Sequence, residues 1–293
     1  MQTPWGDLEV SDAHVHFFSR RFFETLGAQC GKDAAEVAAI AGFDFPGTTA
    51  DLAHRWAAEF DAYSVARSSL IASVPGDEAS VTAAMAACPG RFFAFAMVNP
   101  LAENAAIAHG LHAICLFPAM HRFSLHDPRV EALLAQAALR RCAVFVHCGV
   151  LTVGIRKKLG LPSPFDMRFS NPLDLHAIAL RFPQIDFIVP HFGAGYFREA
   201  LMLADLCPNV HLDTSSTNSW MRYEGLDLQT VLRRALDVAG PRRLLFGTDS
   251  SFFPRGWNQV ILELQVHALN AIGISASDAK AILGGNLQRI LAA

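Results

Sequence analysis

Five side chains near the ends of apolar segments have the chemistry of metal ligands. His14 and His16, one residue apart, follow an apolar segment near the N-terminus. His147 and His191 close the runs Val-Phe-Val and Phe-Ile-Val-Pro, and Asp249 closes Leu-Leu-Phe-Gly-Thr. Imidazole nitrogens and carboxylate oxygens are the ligands that zinc-type divalent ions prefer in proteins. If these runs are parallel strands whose carboxyl ends meet, the pattern predicts a metal site.

The pair His14 and His16 carries the metal interpretation only together with the other ligand types. Side chains two apart on a strand point to the same side, so both imidazoles can face one ion. The alternative is a set of buried, hydrogen-bonded core histidines, because the chain has 12 histidines and chance pairs are common. Three further ligand residues at later strand ends favour the metal site.

The elements that must position these ligands are eight apolar runs rich in Val, Ile, Leu and Phe, separated by helical patterns. Continuous apolar runs are typical of parallel strands covered on both faces. We therefore predict an α/β fold, a (β/α)₈ TIM barrel, as one domain over residues 1–293. A doubly wound sheet is the alternative, but no G-x-G-x-x-G follows any strand. The predicted strands are Leu8–Asp12, Ser69–Val74, Phe92–Val98, Ala113–Phe117, Ala143–Val146, Asp186–Val189, Asn209–Leu212 and Leu244–Phe246.

Helix boundaries follow from capping residues. A helix is predicted over Thr49–Val65, and Asp77 is a good N-cap for the next. Asp127 followed by Pro128 combines a cap with a first-turn proline, which is typical of a helix start.

Composition excludes several classes of function. Of 293 residues, 52% are hydrophobic and 17% charged, which favours a large core over disorder. The net charge of −3 and the pI of about 6.4 indicate neither nucleic-acid nor membrane-surface binding. We see no signal peptide and no membrane-spanning stretch, so we expect a cytoplasmic protein, compatible with a homo-oligomer. The six cysteines form no C-x-x-C pair, and we expect them to be reduced.

Five segments, in order and over nearly the whole chain, carry a family resemblance: Ser-Asp12-Ala-His14-Val-His16-Phe, Val-Phe-Val-His147-Cys-Gly, Ile-Val-Pro-His191-Phe-Gly-Ala-Gly, Leu-Leu-Phe-Gly-Thr-Asp249-Ser and Ile-Leu-Gly-Gly-Asn286-Leu-Gln-Arg289-Ile-Leu. By these segments the chain resembles the amidohydrolase superfamily, in the amidohydrolase-related branch of TIM-barrel hydrolases and nonoxidative decarboxylases. The resemblance is specific for the fold and the metal site and says little about the substrate.

The resemblance implies a ligand set. In this family the histidine pair after strand one and the aspartate after strand eight bind metal, which here are His14, His16 and Asp249. In single-metal members the strand-five histidine, here His147, is the fourth ligand. The strand-six histidine, here His191, then stands beside the metal-bound water.

The resemblance also bears on the number of ions. Two-metal members usually bridge their ions with a carboxylated lysine on strand four, yet residues 33–156 contain no lysine. One ion is therefore favoured, although Cys115 on strand four is an alternative bridging ligand. Zinc is the default for three imidazoles and a carboxylate, with Mn²⁺ or Fe²⁺ as alternatives.

The ligand set predicts catalysis by a metal-activated water. Asp249 would hold that water and accept its proton, and His191 would polarise the substrate carbonyl or orient the water. Asp12 is a candidate hydrogen-bond acceptor for a ligand imidazole. The leading interpretation is a hydrolase of a small carbonyl compound, a lactone, amide or ester. The alternative is a decarboxylase of an aromatic or unsaturated acid that uses the same ligands. A non-catalytic binder would require a missing ligand, and none is missing.

The loops after the strands suggest an anionic substrate, in particular a carboxylate. Basic residues outnumber acids there, although an ordinary solvated basic rim is the alternative. We predict substrate binding by Arg168 and Arg222 and by the aromatic residues Phe17 and Trp220. Asp213 and Ser215 follow strand seven and are candidates to reach the site. The other basic and aromatic residues of these loops are Arg156, Lys157, Lys158, His121, Arg122, Arg129, Arg255, Phe18, Phe252, Phe253 and Trp257.

Overall fold

Eight parallel strands, paired in chain order, form the centre of the computed structural model, which describes residues 1–215 and 219–291. The predicted TIM barrel is thereby confirmed. The strands are β1 (Val10–Phe17), β2 (Val65–Ala72), β3 (Phe92–Met97), β4 (Ala113–Leu116), β5 (Ala143–Val146), β6 (Phe187–Val189), β7 (Val210–Asp213) and β8 (Leu244–Leu245).

The barrel closes between β1 and the segment that continues β8. The Ala13 N–H donates to Phe246 O at 2.8 Å, and the His16 N–H donates to Ser250 O at 2.7 Å. In the opposite direction, the Asp249 N–H donates to His14 O at 2.9 Å. The seam therefore runs directly beside three of the predicted metal ligands.

Helices cover the outside of the barrel and fill two long insertions, one after β1 and one after β5. None of the described helices combines the length and apolarity needed to cross a membrane. An antiparallel hairpin, Gln2–Thr3 with Gly6–Asp7, precedes β1. The helices are α1 (Arg20–Cys30), α2 (Ala34–Ala41), α3 (Thr49–Ala62), α4 (Glu78–Ala87), α5 (Pro118–His121), α6 (Pro128–Arg140), α7 (Gly154–Lys158), α8 (His176–Arg181), α9 (Phe197–Leu206), α10 (Leu228–Ala239), α11 (Gln259–Ala271), α12 (Ala276–Lys280) and α13 (Asn286–Leu291).

Shorter turns of helix complete the described chain. They are the 3₁₀ turns Met167–Phe169, Pro172–Leu175, Pro190–Gly193, Ser219–Tyr223 and Pro241–Arg243 and the π-helical turn Ala281–Gly285.

The predicted boundaries differ from the structure at β2, which spans Val65–Ala72 instead of Ser69–Val74, and at β1. The strand continues to Phe17, so His14 and His16 lie inside it instead of after it. Helix α3 ends at Ala62, three residues before the predicted end, and begins with a capping box between Thr48 and Asp51. Asp77 occupies the predicted N-cap position of α4, but its carboxylate accepts from Ser19 Oγ at 2.7 Å instead of capping the helix.

Phenylalanine rings fill the barrel beneath its carboxyl end. Phe93, Phe95 and Phe145 pack with Ile71 and Cys115 in one buried cluster. A phenylalanine core has no hydroxyl group that must find a partner, which agrees with 22 Phe against 3 Tyr in the chain. We call this cluster the phenylalanine floor, and the polar side chains of the barrel lie in the layer above it.

The C-terminal segment packs against the start of β1 and of β8, the two strands between which the barrel closes. Gly284 lies against β1, where a Cβ atom would be 2.9 Å from Glu9 O and 3.0 Å from Ser11 N. The side-chain amide of Asn286 donates to Pro241 O at 2.8 Å and to Leu244 O at 2.9 Å. Gly284 and Asn286 of the tail are thus explained by a close backbone approach and by two carbonyl groups, one before β8 and one at its first residue.

We predict that Asn286→Ala destabilises the fold without touching the site. Two carbonyl groups would lose their partner, and unpaired buried polar groups cost about 1–3 kcal/mol each. The free energy of unfolding, measured in urea, should fall by about 2–4 kcal/mol. Asn270→Ala, on the exposed face of α11, is the matched control and should change it by less than about 0.5 kcal/mol. Equal effects of the two substitutions would contradict this role of Asn286.

Candidate metal centre

Three predicted ligand atoms converge at the carboxyl end of the barrel. His14 Nε2 and His16 Nε2 are 3.4 Å apart, and Asp249 Oδ1 lies 3.7 Å from the first and 3.3 Å from the second. Ligands bound tetrahedrally at about 2.0–2.1 Å from one ion are about 3.3–3.4 Å from one another. The spacing of these atoms therefore fits a single zinc-sized ion in contact with all three.

The second ring nitrogen of His14 and of His16, Nδ1, has a hydrogen-bond partner of its own. His14 Nδ1 donates to Asp213 Oδ2 at 2.6 Å, and both side chains are buried. His16 Nδ1 lies 2.7 Å from Ser73 Oγ, directly after β2. Such partners fix the ring orientation and direct Nε2 towards the ion. Asp213, not Asp12, is the hydrogen-bond partner of the His14 ring, and Ser215 Oγ lies within hydrogen-bond distance of His14 and His191.

Asp12 acts on the backbone instead. Its fully buried carboxylate accepts from the N–H groups of His14 at 2.9 Å and Thr248 at 3.1 Å. The Thr248 hydroxyl and the Trp257 indole N–H donate to the same carboxylate at 2.6 and 2.7 Å. One side chain thus joins β1 to the segment after β8, which together carry the three converging ligands.

His147 borders the same space from β5. Its ring stacks on Phe117, with centroids 5.2 Å apart, and lies edge-on to His191 at 5.3 Å. Its Nδ1 atom is buried and has no hydrogen-bond partner within residues 1–215 and 219–291. The ligand atoms that lie within 4.8 Å of one another belong to His14, His16 and Asp249, so His147 lines the cavity without joining that group. Its partnerless buried nitrogen makes it a candidate fourth ligand.

His191 leaves β6 in a left-handed conformation, with φ of 56°. Its Nδ1 lies 3.2 Å from Ser215 O and 2.9 Å from Ser215 Oγ. Because a carbonyl oxygen only accepts, this contact favours the proton on Nδ1 and leaves Nε2 as an acceptor. Ser215 Oγ also lies 3.0 Å from His14 Nδ1, so one hydroxyl connects a ligand histidine to His191.

The electrostatics of the centre favour the metal-binding forms of His147 and Asp249, whereas His14 is drawn towards its protonated form in the absence of an ion. Burial lowers the pKa of His147 well below its ordinary value, which keeps the imidazole neutral. Burial acts to raise the pKa of Asp249, but the hydrogen bond from His16 and the charge of His14 hold it below its usual range. Burial opposes protonation of His14, yet the Asp213 carboxylate raises its pKa. Metal binding needs neutral imidazoles and ionised carboxylates, and an acidic partner makes the imidazole a stronger ligand.

A cavity of about 640 Å³ opens above the ligands. One wall is a row of aromatic rings that starts beside His16. Phe18 stacks on Phe22 with centroids 3.9 Å apart, and Phe43 stacks on Phe252 at the same distance. The residues that line the cavity include His14, His16, His147, His191, Asp249, Ser73, Met97, Phe117, Met120, His121, Leu151, Arg156, Lys158 and Arg255.

The structure does not bring the four predicted substrate-binding residues into this cavity. Phe17 follows His16 on the strand, so it points to the opposite face and is buried beside Trp56 in the outer layer. Trp220 is buried against Phe192 and Phe197. These two aromatic residues pack the core instead of the cavity.

The two predicted arginines are also placed elsewhere. Arg168 is 83% exposed and forms a two-pronged ion pair with Asp166, two residues before it. Arg222 is exposed, with its guanidinium 5.2 Å from the ring centroid of the adjacent Tyr223. Local partners, which loop composition does not reveal, hold both side chains outside the cavity.

Three cavity residues were not singled out by the sequence. Ser73 carries no motif, and only its position directly after β2 could have indicated it. His121 follows β4 and has a buried Nδ1 without a partner in the described part of the chain, and burial lowers its pKa to about 4. Arg255 was one of several loop cations, and nothing in the sequence separated it from Arg222.

Residues 11–292 match the protein-family model described as Amidohydrolase. Protein fluG of Emericella nidulans is 35% identical over 85 residues, a match that covers 29% of this chain and only 10% of fluG.

Solved structures share the fold at low identity. A zinc-bound amidohydrolase of Burkholderia multivorans superposes with a TM-score of 0.65 at 16% identity, over 97% of this chain and 99% of that one. 5-Carboxyvanillate decarboxylase of Sphingomonas paucimobilis gives 0.64 at 15%, over 98% and 99% of the two chains. A Pseudomonas putida protein provisionally described as a 2-pyrone-4,6-dicarboxylic acid hydrolase gives 0.62 at 16%, over 98% of each chain.

We predict that Gly247→Ala weakens metal binding through the residues behind the ligands. A Cβ atom at Gly247 would lie 2.6 Å from Asp213 Oδ1 and 3.1 Å from His14 Cβ. Loss of such supporting contacts typically costs about 10- to 100-fold in metal affinity. Zinc affinity, measured by competition with a chromogenic chelator, should fall by this factor. In Gly154→Ala the added Cβ meets nothing within 4 Å, so wild-type zinc affinity is expected; a similar loss there would contradict the steric explanation.

Proposed function

The chain belongs to the amidohydrolase family, and from that premise we propose that it is a single-metal hydrolase of a small carbonyl compound bearing a carboxylate. The observation that carries the proposal is the spacing of 3.3–3.7 Å among the three ligand atoms of His14, His16 and Asp249. His147 is the proposed fourth ligand, because its buried Nδ1 has no other described partner. Zinc is the proposed ion, with Mn²⁺ or Fe²⁺ as alternatives.

A single ion is also supported at strand four. Lysine is absent from residues 33–156, so a carbamate bridge has no source. Cys115 packs beneath the site in the phenylalanine floor, and burial raises the pKa of its thiol well above the ordinary value. A neutral, buried thiol is a poor bridging ligand, because the thiolate is the form that binds metal.

The chemistry divides between the ion and two side chains. A divalent ion in such a site would lower the pKa of a bound water to about 7 and polarise a carbonyl oxygen. Asp249 is 31% exposed towards the cavity and can accept a proton from the attacking water. His191 Nε2 remains an acceptor because Ser215 holds Nδ1, so this ring can orient that water.

Decarboxylation of an aromatic acid is the second candidate. The observation that favours it is the row of stacked phenylalanine rings along the cavity, which suits a flat ring. The structural relative from Sphingomonas paucimobilis acts on 5-carboxyvanillate. The lone pair assigned to His191 Nε2 favours hydrolysis, because decarboxylation requires a proton to be delivered to carbon.

Product analysis separates the two candidates. We expect the zinc-loaded protein to open 2-pyrone-4,6-dicarboxylate with release of a proton and without CO₂. The parallel assay with 5-carboxyvanillate follows CO₂ release. Asp249→Asn and metal-free protein are the negative controls for both assays. Release of CO₂ from 5-carboxyvanillate, with no hydrolysis of a panel of lactones, amides and esters, would reverse the assignment in favour of the decarboxylase.

We predict different effects of substitution at His147 and His191. Wild-type protein should hold about one equivalent of metal, and His147→Ala should lose it because one of four ligands is removed. His191→Asn should keep the metal and lose about 10²–10⁴-fold in kcat, which is typical of a group that orients or transfers a proton. Elemental analysis and kcat on one substrate test both. Loss of the ion in His191→Asn but not in His147→Ala would exchange the two roles.

A further inference from the structure

Three lysine or arginine side chains line the cavity, and two of them donate hydrogen bonds to other parts of the chain. All three guanidinium nitrogens of Arg156 donate within the described chain, two to Pro162 O and Nη1 to Gln29 Oε1 at 2.7 Å. Lys158 Nζ donates to Ala41 O at 2.5 Å. These two side chains tie the insertion after β5 to the insertion after β1. These contacts hold every guanidinium nitrogen of Arg156 and the ammonium group of Lys158 against the two insertions.

Arg255 differs from both. Its Nη2 donates to Asp249 O at 3.2 Å and to Ser251 Oγ at 2.9 Å, and its guanidinium lies 4.6 Å from the centroid of the Phe252 ring. Within residues 1–215 and 219–291 no acceptor lies at its Nε or Nη1. The Nη2 atom is thus hydrogen-bonded and one face of the guanidinium is stacked on Phe252, whereas Nε and Nη1 remain as donors for a ligand.

The described lining of the cavity around Arg255 offers few carboxylates. Among the described residues that line the cavity, the only acidic side chain is Asp249, and its carboxylate faces His14 and His16. Two loop arginines outside the cavity are neutralised by local partners: Arg168 pairs with Asp166, and Arg129 pairs with Asp127. A carboxylate in the cavity can therefore accept from the free Nε and Nη1 donors of Arg255 beside the metal centre.

We propose that Arg255 binds a carboxylate of the substrate that does not react, so that the substrate is a flat molecule with a second acidic group beside the reacting one. The planar guanidinium matches a carboxylate in geometry and charge. Arg255 contacts the main chain of Asp249, a proposed metal ligand. A carboxylate bound by Arg255 and a group that reacts at the metal would therefore belong to one small molecule. The adjoining rings of Phe252 and Phe43 would cover the flat face between them.

This assignment rests on the proposed single-metal function and names the substrate class of that site. The test uses the zinc-loaded full chain and three pairs of probes: phthalate, isophthalate and terephthalate, each against its monoamide. Each monoamide keeps one carboxylate for the metal and replaces the other by a neutral group of the same shape. Isothermal titration calorimetry gives the ratio of the two dissociation constants for each pair.

Wild-type protein should prefer at least one diacid over its monoamide by about 10- to 100-fold, the range expected for a hydrogen-bonded charge pair. Arg255→Met should reduce this ratio to about 1 while monoamide affinity changes less than about twofold, and Arg255→Lys should give an intermediate ratio. Arg168→Met, whose guanidinium lies outside the cavity, is the matched control and should retain the wild-type ratio.

Two results would overturn the proposal: wild-type protein without a diacid preference for any pair, or Arg255→Met with the wild-type ratio. Metal content is measured on every sample, because Arg255 also contacts Asp249. Wild-type protein that binds no metal would contradict the proposed function, which distinguishes that failure from a failure of the Arg255 assignment. A lower ratio in Arg255→Met at unchanged metal content supports a contact with the ligand and excludes an effect through Asp249 alone.

Discussion

The buried carboxylate of Asp12 is the constraint on which the metal centre depends. Its four donors come from both sides of the seam between β1 and the segment after β8. If the seam opened, a fully buried carboxylate would lose its partners, which is costly because the interior offers no water to replace them. Burial already raises the pKa of Asp12 to about 6, so these hydrogen bonds offset only part of the desolvation. His14 and Asp249 lie next to these hydrogen bonds, which therefore hold the two residues at a fixed distance from one another.

From this seam the centre is built outward in two layers. The ligand nitrogens face the ion position, and a second set of side chains (Asp213, Ser215 and Ser73) holds the opposite ring nitrogens. Gly247 allows these layers to approach, since a side chain there would meet both Asp213 and His14. The sequence shows the inner layer as strand-end histidines, whereas the outer layer consists of ordinary Ser and Asp residues whose role depends on three-dimensional proximity.

The fold and the converging ligands could be predicted because they follow from local sequence. Apolar runs define the strands, and the carboxyl ends of parallel barrel strands meet on one face. The substrate wall could not be predicted in this way. Phe17 adjoins the ligands in sequence, yet strand alternation turns it to the outer layer. Arg168 has the right charge and the right loop, but Asp166 two residues earlier captures it. Whether a loop cation is free depends on neighbours that only the folded chain supplies.

Backbone strain at two residues links the barrel to its chemistry. His191 and Asp249 are not glycines, yet they have φ values of 56° and 59°. Left-handed geometry is unfavourable for such residues and persists only where surrounding contacts enforce it. At Asp249 the enforcing contact is its N–H bond to His14 O across the seam, and at His191 it is the turn closed by the Ala194 N–H. Both bends occur where a strand ends, so the chain turns away while the side chain still faces the cavity. The left-handed backbone at each residue therefore helps to point its side chain into the cavity, where Asp249 is proposed to accept a proton and His191 to orient the water.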